Sequence, residues 1–348
     1  MAHIEPKTHT SLLKGSLKNL FFPPEENEYK YFGRAKQVPF IAPDKVARDG
    51  VTDNLVRAAW AADAAMLCYA RYGIKRMNDA QLRQNLEAGG LTLQKTIGED
   101  PQNWNAPGTQ AFFATAPGLA ILAFRGTEAD DPQDLPDDLE LMLTPEPDYK
   151  SGASPHLGHL SAILHLFSDP CLVHRGFQKA LNRVWDQVYA QLAQHRQDNP
   201  SGEICLTGHS LGGALALLTY SRFRYPNVSA YTFGCPRVGN AAFGARVASG
   251  GKGHFRCVNF NDLVTHIPLV NDLYLHAPET CYRFDEAGWL ELEHDGTLGG
   301  DLDVVERVIG GLPADVMGDW AKLDALPAPP GLVDHSPARY CMRLWDCV

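Results

Sequence analysis

Ile204-Cys205-Leu206-Thr207-Gly208-His209-Ser210-Leu211-Gly212-Gly213-Ala214-Leu215-Ala216-Leu217 is a short apolar strand that runs through a glycine-flanked serine straight into a helix. This is the layout of a nucleophile elbow. The chemistry accounts for the glycines. A serine on a sharp, strained turn projects its hydroxyl above the sheet edge, and side-chain-free positions two residues to either side let strand and helix close on each other. The first N–H groups of the helix, Leu211 foremost, then point at the place where a carbonyl oxygen of a substrate would become negative. A bare Gly-x-Ser-x-Gly occurs by chance in many proteins, so the strand before it and the helix after it carry the reading.

Outward from this stretch, strand and helix alternate. Phe177 to Gln197 reads as a long amphipathic helix, Val228 to Phe233 and Arg256 to Phe260 as strands, and Asn240 to Ala248 as a helix between them. Short connections in such an alternation predict an α/β protein with a mostly parallel central sheet and helices on both faces. Upstream, Thr52-Asp53 caps a helix to about Tyr72, with Leu55, Ala59, Ala62, Met66 and Tyr69 on one face that suits a sheet. A second helix spans about Asp79 to Glu87. Extended runs follow at Leu91 to Ile97, Thr109 to Thr115 and Leu119 to Phe124, the last two joined as a hairpin by Ala116-Pro117-Gly118. Downstream come extended runs at Leu273 to His276, Tyr282 to Phe284 and Trp289 to Leu292, a helix near Asp301 to Ile309, and Pro-rich residues 327–330.

Residues 1–48 read as an N-terminal arm whose aromatic residues dock on the body, with a loosely ordered tail as the competing reading, and 49–348 as one domain. The section from Glu128 to Leu172 is acidic and proline-interrupted, then offers a helix from Leu157 to Phe167 with one apolar face. That section reads as a lid or cap within 128–172, with a helix packed permanently on the surface as the competing reading. Its acidic residues lack the regular spacing of a calcium loop.

Composition sets limits on partners. A net charge of −10 without any Lys/Arg-rich run excludes a nucleic-acid-binding role, which needs a basic face. No stretch approaches the ~20 apolar residues of a membrane span, and the amino terminus lacks the basic and apolar regions of a secretory signal. The eight cysteines form no metal-type Cys-x-x-Cys pair, and Cys205, Cys235 and Cys257 fall in strands expected to be buried. They read as reduced thiols, which suits a cytoplasmic protein or one exported without a visible signal peptide. No metal or organic cofactor is called for.

A serine hydroxyl needs a histidine to take its proton and a carboxylate to hold that histidine. With a nucleophile elbow these follow in the order Ser, acid, His, each at the carboxyl end of a strand. Asp262 fits, because the strand Arg256 to Phe260 empties into it; Asp272 is the rival, at the start of a strand. His266, His276, His294 and His335 all follow Asp262. His266 shares the loop of the acid, His276 lies inside an extended run, and His294 sits in an acidic surface sequence. His335, in a loop before the last helix, is where the base belongs. The second oxyanion donor falls on Thr127, after the strand ending Phe124-Arg125-Gly126, although Arg125 and Thr127 could instead cap a following helix.

Four separated motifs then agree. Phe124-Arg125-Gly126-Thr127, Val173-His174-Arg175-Gly176-Phe177, Thr207 to Ala214, and Tyr231-Thr232-Phe233-Gly234-Cys235-Pro236-Arg237-Val238-Gly239-Asn240 together resemble the class 3 lipases, the filamentous-fungal type of triacylglycerol lipase. The resemblance takes in Asn261 to Val264 and Tyr274-Leu275-His276, and spans roughly residues 51 to 345. It implies an α/β-hydrolase fold, hydrolysis of long-chain carboxylic esters at a lipid–water interface, and a lid after the oxyanion strand. Carried over, Ser210 is nucleophile, Asp262 acid, His335 base, and Thr127 with Leu211 the oxyanion hole; His174 and His276 fall on structural positions. Departures are Cys235 in place of a common serine, long steps from Thr127 to His174 and from Asp262 to His335, and Ser336-Pro337-Ala338-Arg339-Tyr340 where a tyrosine often follows the histidine more closely. Phospholipase A1, galactolipase and soluble-ester esterase are the neighbouring activities. A lipase-like scaffold that keeps the fold for partner binding is the non-enzymatic alternative.

Overall fold

A computed structural model of the chain describes residues 31–32, 53–72, 77–98, 108–126, 142–147, 170–268, 273–277, 280–293 and 333–348. Its centre is a sheet built from Thr92–Gly98 (β1), Gln110–Ala116 (β2), Leu119–Phe124 (β3), Glu203–His209 (β6), Val228–Phe233 (β7), Gly253–Asn259 (β8), Thr280–Phe284 (β9) and Leu290–Glu293 (β10). These eight strands lie side by side in that order, while Leu143–Pro145 (β4) and Leu172–His174 (β5) pair with each other as a separate ladder. From β3 to β9 the neighbours are parallel. Antiparallel strands close both edges.

The parallel strands read as unbroken apolar runs because both of their faces are covered. Every residue of β3 and β7 is buried. Alternate residues go to opposite layers: Ile204 and Leu206 of β6 join one core, Cys205 the other. The first core holds Arg175–Asp198 (α3), Leu211–Arg222 (α4) and Ala241–Ala248 (α5) against the sheet. The second holds Asp53–Tyr72 (α1), Asp79–Ala88 (α2) and the last helix, Pro337–Asp346 (α6). Ala58, Ala59, Ala61, Ala62, Ala64 and Ala65 make α1 narrow enough to be buried between the sheet and α6, and alanine is the best helix former. Thr207 Oγ1 on β6 donates to the carbonyl of Ala61 at 3.0 Å, which ties the helix to the elbow strand.

α2 starts where expected because Asn78 and Gln81 form a reciprocal capping box. Of the N-terminal arm, only Tyr31 and Phe32 are described, and both are buried. The Phe32 ring lies 5.2 Å from that of Trp60, and its N–H donates to Asp63 at 2.6 Å. Two expectations need correction. Residues 273–276 form no strand; Leu275 makes a single bridge to Gly239, because its neighbour is a loop rather than another strand. Cys235 lies beyond β7 rather than in it, although it is buried as expected.

Of the span read as lid or cap, residues 142–147 and 170–172 are described. There β4 pairs with β5, and Glu146 meets Arg222 of α4 at 2.6 Å with neither side chain exposed. The helix expected from Leu157 to Phe167 lies outside the described residues, as do the acidic residues 128–140, the helix expected near Asp301 and the Pro-rich residues 327–330.

Candidate active site

β6 delivers the chain to Ser210 with φ 57° and ψ −129°, a left-handed conformation that a residue with a Cβ rarely adopts. Two glycines make the turn possible. A Cβ on Gly208 would stand 2.2 Å from Gly212, and one on Gly212 would stand 2.3 Å from the carbonyl of Phe124. The Ser210 N–H donates to the Phe233 carbonyl at 2.9 Å, which fixes the serine against the end of β7. Leu211 is the first residue of α4, half-buried, so its N–H belongs to the donor-rich end of that helix.

Asp262 and His335, 73 residues apart, meet at the carboxyl end of β8. His335 Nδ1–H donates to Oδ1 at 2.9 Å and to Oδ2 at 2.8 Å, with both side chains buried. Two further donors hold the carboxylate. The Val264 N–H reaches Oδ1 at 2.9 Å and the Tyr340 hydroxyl reaches Oδ2 at 2.5 Å. Burial, and then the charge of Asp262, pushes the Tyr340 phenol well above its usual range, so it stays a donor. Gly234, at φ +55°, leaves room for the pair: a Cβ there would stand 2.7 Å from Asp262 Oδ2 and 2.8 Å from His335 Nδ1. Asn259 Nδ2 holds the carbonyl of Asp334 at 2.7 Å, and burial pushes the Asp334 carboxyl up to about 6 against the pull of Arg339 and Arg343.

The serine and the histidine are neighbours through His209. Its ring lies 4.4 Å from that of His335, and its Nε2 is 2.6 Å from the His335 carbonyl. Burial, and then His335 beside it, keeps His209 well below the usual imidazole range, so it is neutral. Thr127 lies outside the described residues, but the strand leading to it is described. A Cβ on Gly126 would stand 2.5 Å from the His209 carbonyl and 3.1 Å from Ser210 Cβ, so the chain leaves β3 directly against the elbow.

The other candidates separate from this cluster. His276 Nε2 donates to the Thr265 carbonyl at 2.7 Å and is held well below the usual imidazole range, by burial first and then by Arg256. His174 caps α3, accepting the Phe177 N–H at 3.4 Å, and stacks on that ring at 4.1 Å. His266 lies buried in the single turn Leu263–His266, and its carbonyl accepts from Arg237 at 2.8 Å. Asp272 and His294 lie outside the described residues. Sequence reasoning missed Tyr340, Asn259, His209 and Tyr69 as members of the site. Only two carried a signal: His209 by adjacency to Ser210, and Tyr340 as the tyrosine following His335.

Residues 121–272 match the family described as lipase (class 3). A secreted mono- and diacylglycerol lipase A of Penicillium cyclopium is 36% identical over 149 residues, which are 42% of this chain and 48% of that protein. A lipase of Rhizomucor miehei is 38% identical over 122 residues, 33% of this chain and 34% of the relative. The chain thus spans about half the length, or less, of the curated relatives it matches. Among solved structures, a lipase from Rhizopus microsporus var. chinensis superposes with a TM-score of 0.54 at 23% identity, covering 85% of this chain and 93% of that one. A mutant form of MDLA from Penicillium cyclopium gives 0.53 at 23% identity, over 80% and 99% of the two chains. These superpositions and the sheet order establish an α/β-hydrolase fold. Over residues 121–272, the chain is similar to the class 3 lipases.

Proposed function

We propose that this protein is a serine carboxylester hydrolase, a lipase acting on acylglycerol esters at a lipid–water interface. The observation that carries the reading is the buried His335–Asp262 pair beside a serine held in a strained elbow at the start of α4. Ser210 attacks the ester carbonyl and His335 accepts its proton, while Asp262 fixes the Nδ1–H tautomer and stabilises the imidazolium. The N–H groups of Leu211 and Thr127 hold the tetrahedral oxyanion. His335 then protonates the leaving alcohol, and water attacks the acyl-enzyme by the same route in reverse.

In this reading residues 1–48 are an arm, and the hydrolase unit takes up 49–348 with a lid or cap within 128–172. Among the described residues no helix is long and apolar enough to cross a membrane. Two of the relatives, from Penicillium cyclopium and Fusarium solani, are secreted proteins by name, so we adopt export over the cytoplasmic location that the thiols suggested. Seven of the eight cysteines are buried thiols. Burial pushes Cys205 up to about 12, and a thiol so hard to ionise is inert in an oxidising medium.

The test is hydrolysis of p-nitrophenyl esters from short to long acyl chains, with emulsified triacylglycerol alongside and Ser210→Ala as blank. A maximum at medium or long chains with turnover of the emulsion supports a lipase. Activity limited to short soluble esters makes the protein an esterase, and turnover that survives Ser210→Ala removes the triad reading altogether.

A further inference from the structure

His209 makes two polar contacts with its ring, and together they fix where its proton is. Nε2 lies 2.6 Å from the backbone carbonyl of His335. A carbonyl only accepts, so Nε2 carries the hydrogen. A neutral ring with Nε2–H has a bare lone pair on Nδ1, and that atom faces the hydroxyl of Tyr69 at 2.9 Å. Tyr69 is therefore the donor. The opposite tautomer would set a lone pair against the His335 carbonyl at that short distance, and the ring is fully buried, away from water that could repair the mismatch.

We propose that Tyr69 is a positioning residue for the hydrolysis: its hydroxyl holds His209 in the one tautomer that can grip the backbone of His335. The inference rests on the reading of Ser210, Asp262 and His335 as the triad. A hydrogen bond from Nδ1 to Asp262 restrains the ring of His335 but leaves its loop able to shift along that bond. The backbone is held separately, by His209 on the carbonyl of His335 and by Asn259 on that of Asp334. Ring and backbone together set where Nε2 stands above the elbow.

The position of Tyr69 adds a second link. It is on α1, 1% exposed, far in sequence from every triad member. A Cβ on Gly126 would stand 2.0 Å from its hydroxyl oxygen, so the phenol also lies against the turn that leads to Thr127. A longer contact, 3.4 Å, reaches the carbonyl of His209. One hydroxyl thus touches the elbow and the oxyanion strand, and through His209 it reaches the base. Phenylalanine would fill the same space, so the hydroxyl is there for its bonds.

The experiment compares wild type, Tyr69→Phe, His209→Gln and the double variant in hydrolysis of p-nitrophenyl octanoate, with active sites titrated by a fluorophosphonate. Tyr69→Phe is expected to lower kcat per titrated site by about tenfold, with KM changed by less than about twofold. In the His209→Gln background the same change is expected to have almost no effect, because the hydroxyl acts through that ring. An unchanged kcat in Tyr69→Phe, or losses that simply multiply in the double variant, overturns the proposal while leaving the triad standing. Wild type that labels no better than Ser210→Ala removes the triad and this inference with it. ¹⁵N-histidine NMR of the unmodified protein reads the tautomer without any variant: His209 protonated on Nε2 supports the proposal, and on Nδ1 overturns it.

Discussion

The Tyr340 hydroxyl donates to Asp262 Oδ2 at 2.5 Å and accepts the backbone N–H of Asn259 at 3.0 Å. It therefore joins the carboxylate to the end of β8, and the sequence between His335 and Tyr340 forms the first turn of α6 that brings it there. Tyr340→Phe removes both bonds. We expect kcat for ester hydrolysis to fall about tenfold with KM little changed, since Asp262 loses one of the donors that aim it. Stability should drop by about 1–3 kcal/mol, because a buried N–H loses its acceptor. Steady-state kinetics and urea denaturation of the variant check both, and an unchanged kcat would reduce the hydroxyl to a structural bond.

Gly212→Ala should prevent folding or cost more than about 3 kcal/mol, because the new methyl meets backbone rather than a side chain that can move. Its Cβ would lie 2.3 Å from the Phe124 carbonyl and 2.9 Å from the Arg125 carbon. Gly118→Ala is the control. It has nothing within 4 Å but a φ of +75°, so it should cost only about 1 kcal/mol of left-handed strain. Soluble yield and melting temperature of the two variants decide whether steric closure or conformation governs these glycines.

Asp334 gives stability a pH dependence whose sign is opposite to that of a salt-bridged carboxylate. Its pKa rises from 3.8 in the unfolded chain to about 6 in the fold, chiefly through burial. The folded state therefore binds the proton more tightly than the unfolded one. The contribution of this group to stability is full below pH 3.8 and is lost as the pH rises through about 6. Asp334→Asn carries no charge at either end of that window. Relative to wild type it should be more stable at pH 8, with the advantage shrinking as the pH falls toward 4. Denaturation at both pH values measures this, and a variant less stable at pH 8 would show that the Arg339 pair outweighs burial.

Glu146 and Arg222 lie wholly inside the protein at 2.6 Å, with Arg222 also 4.9 Å from the Trp185 ring. Glu146→Gln removes the carboxylate charge that faces the buried guanidinium and should cost about 3–5 kcal/mol. Changing both residues to Met should recover most of that loss, because the desolvation of two charges disappears with them. Urea denaturation of the single and double variants tests the sign. A double variant as unstable as the single one would mean that the pair is needed to hold β4 in place.

Much of the fold was legible because it rests on local patterns. Val228–Phe233 was bounded to the residue, since an apolar run between polar turns has one reading when it is buried on both faces. β5 and β4, three residues each, were not seen, because a three-residue strand has no period to read. β8 begins at Gly253, before the expected start at Arg256. Gly253 pairs with Ser229 of β7, a partner 24 residues upstream that the local pattern does not show. Glu146 lies in the section read as a lid or cap, and its burial follows from Arg222, 76 residues away.

What the sequence by itself determined was the glycine-flanked turn at Ser210, the alternation of strand and helix around it, and the nomination of Ser210, Asp262 and His335 as the proposed set. Each of these follows from short-range signals: glycines two residues from a serine, an acid at a strand end, a histidine before a final helix. Only the tertiary structure decided how the set is held. Tyr69 on α1, Asn259 on β8 and Tyr340 on α6 reach one site because helix and sheet layers bring distant segments within hydrogen-bonding distance. No spacing in the chain encodes those meetings. A hydrogen bond between buried side chains depends on position to within a few tenths of an ångström, and that is set by the packing of the whole core.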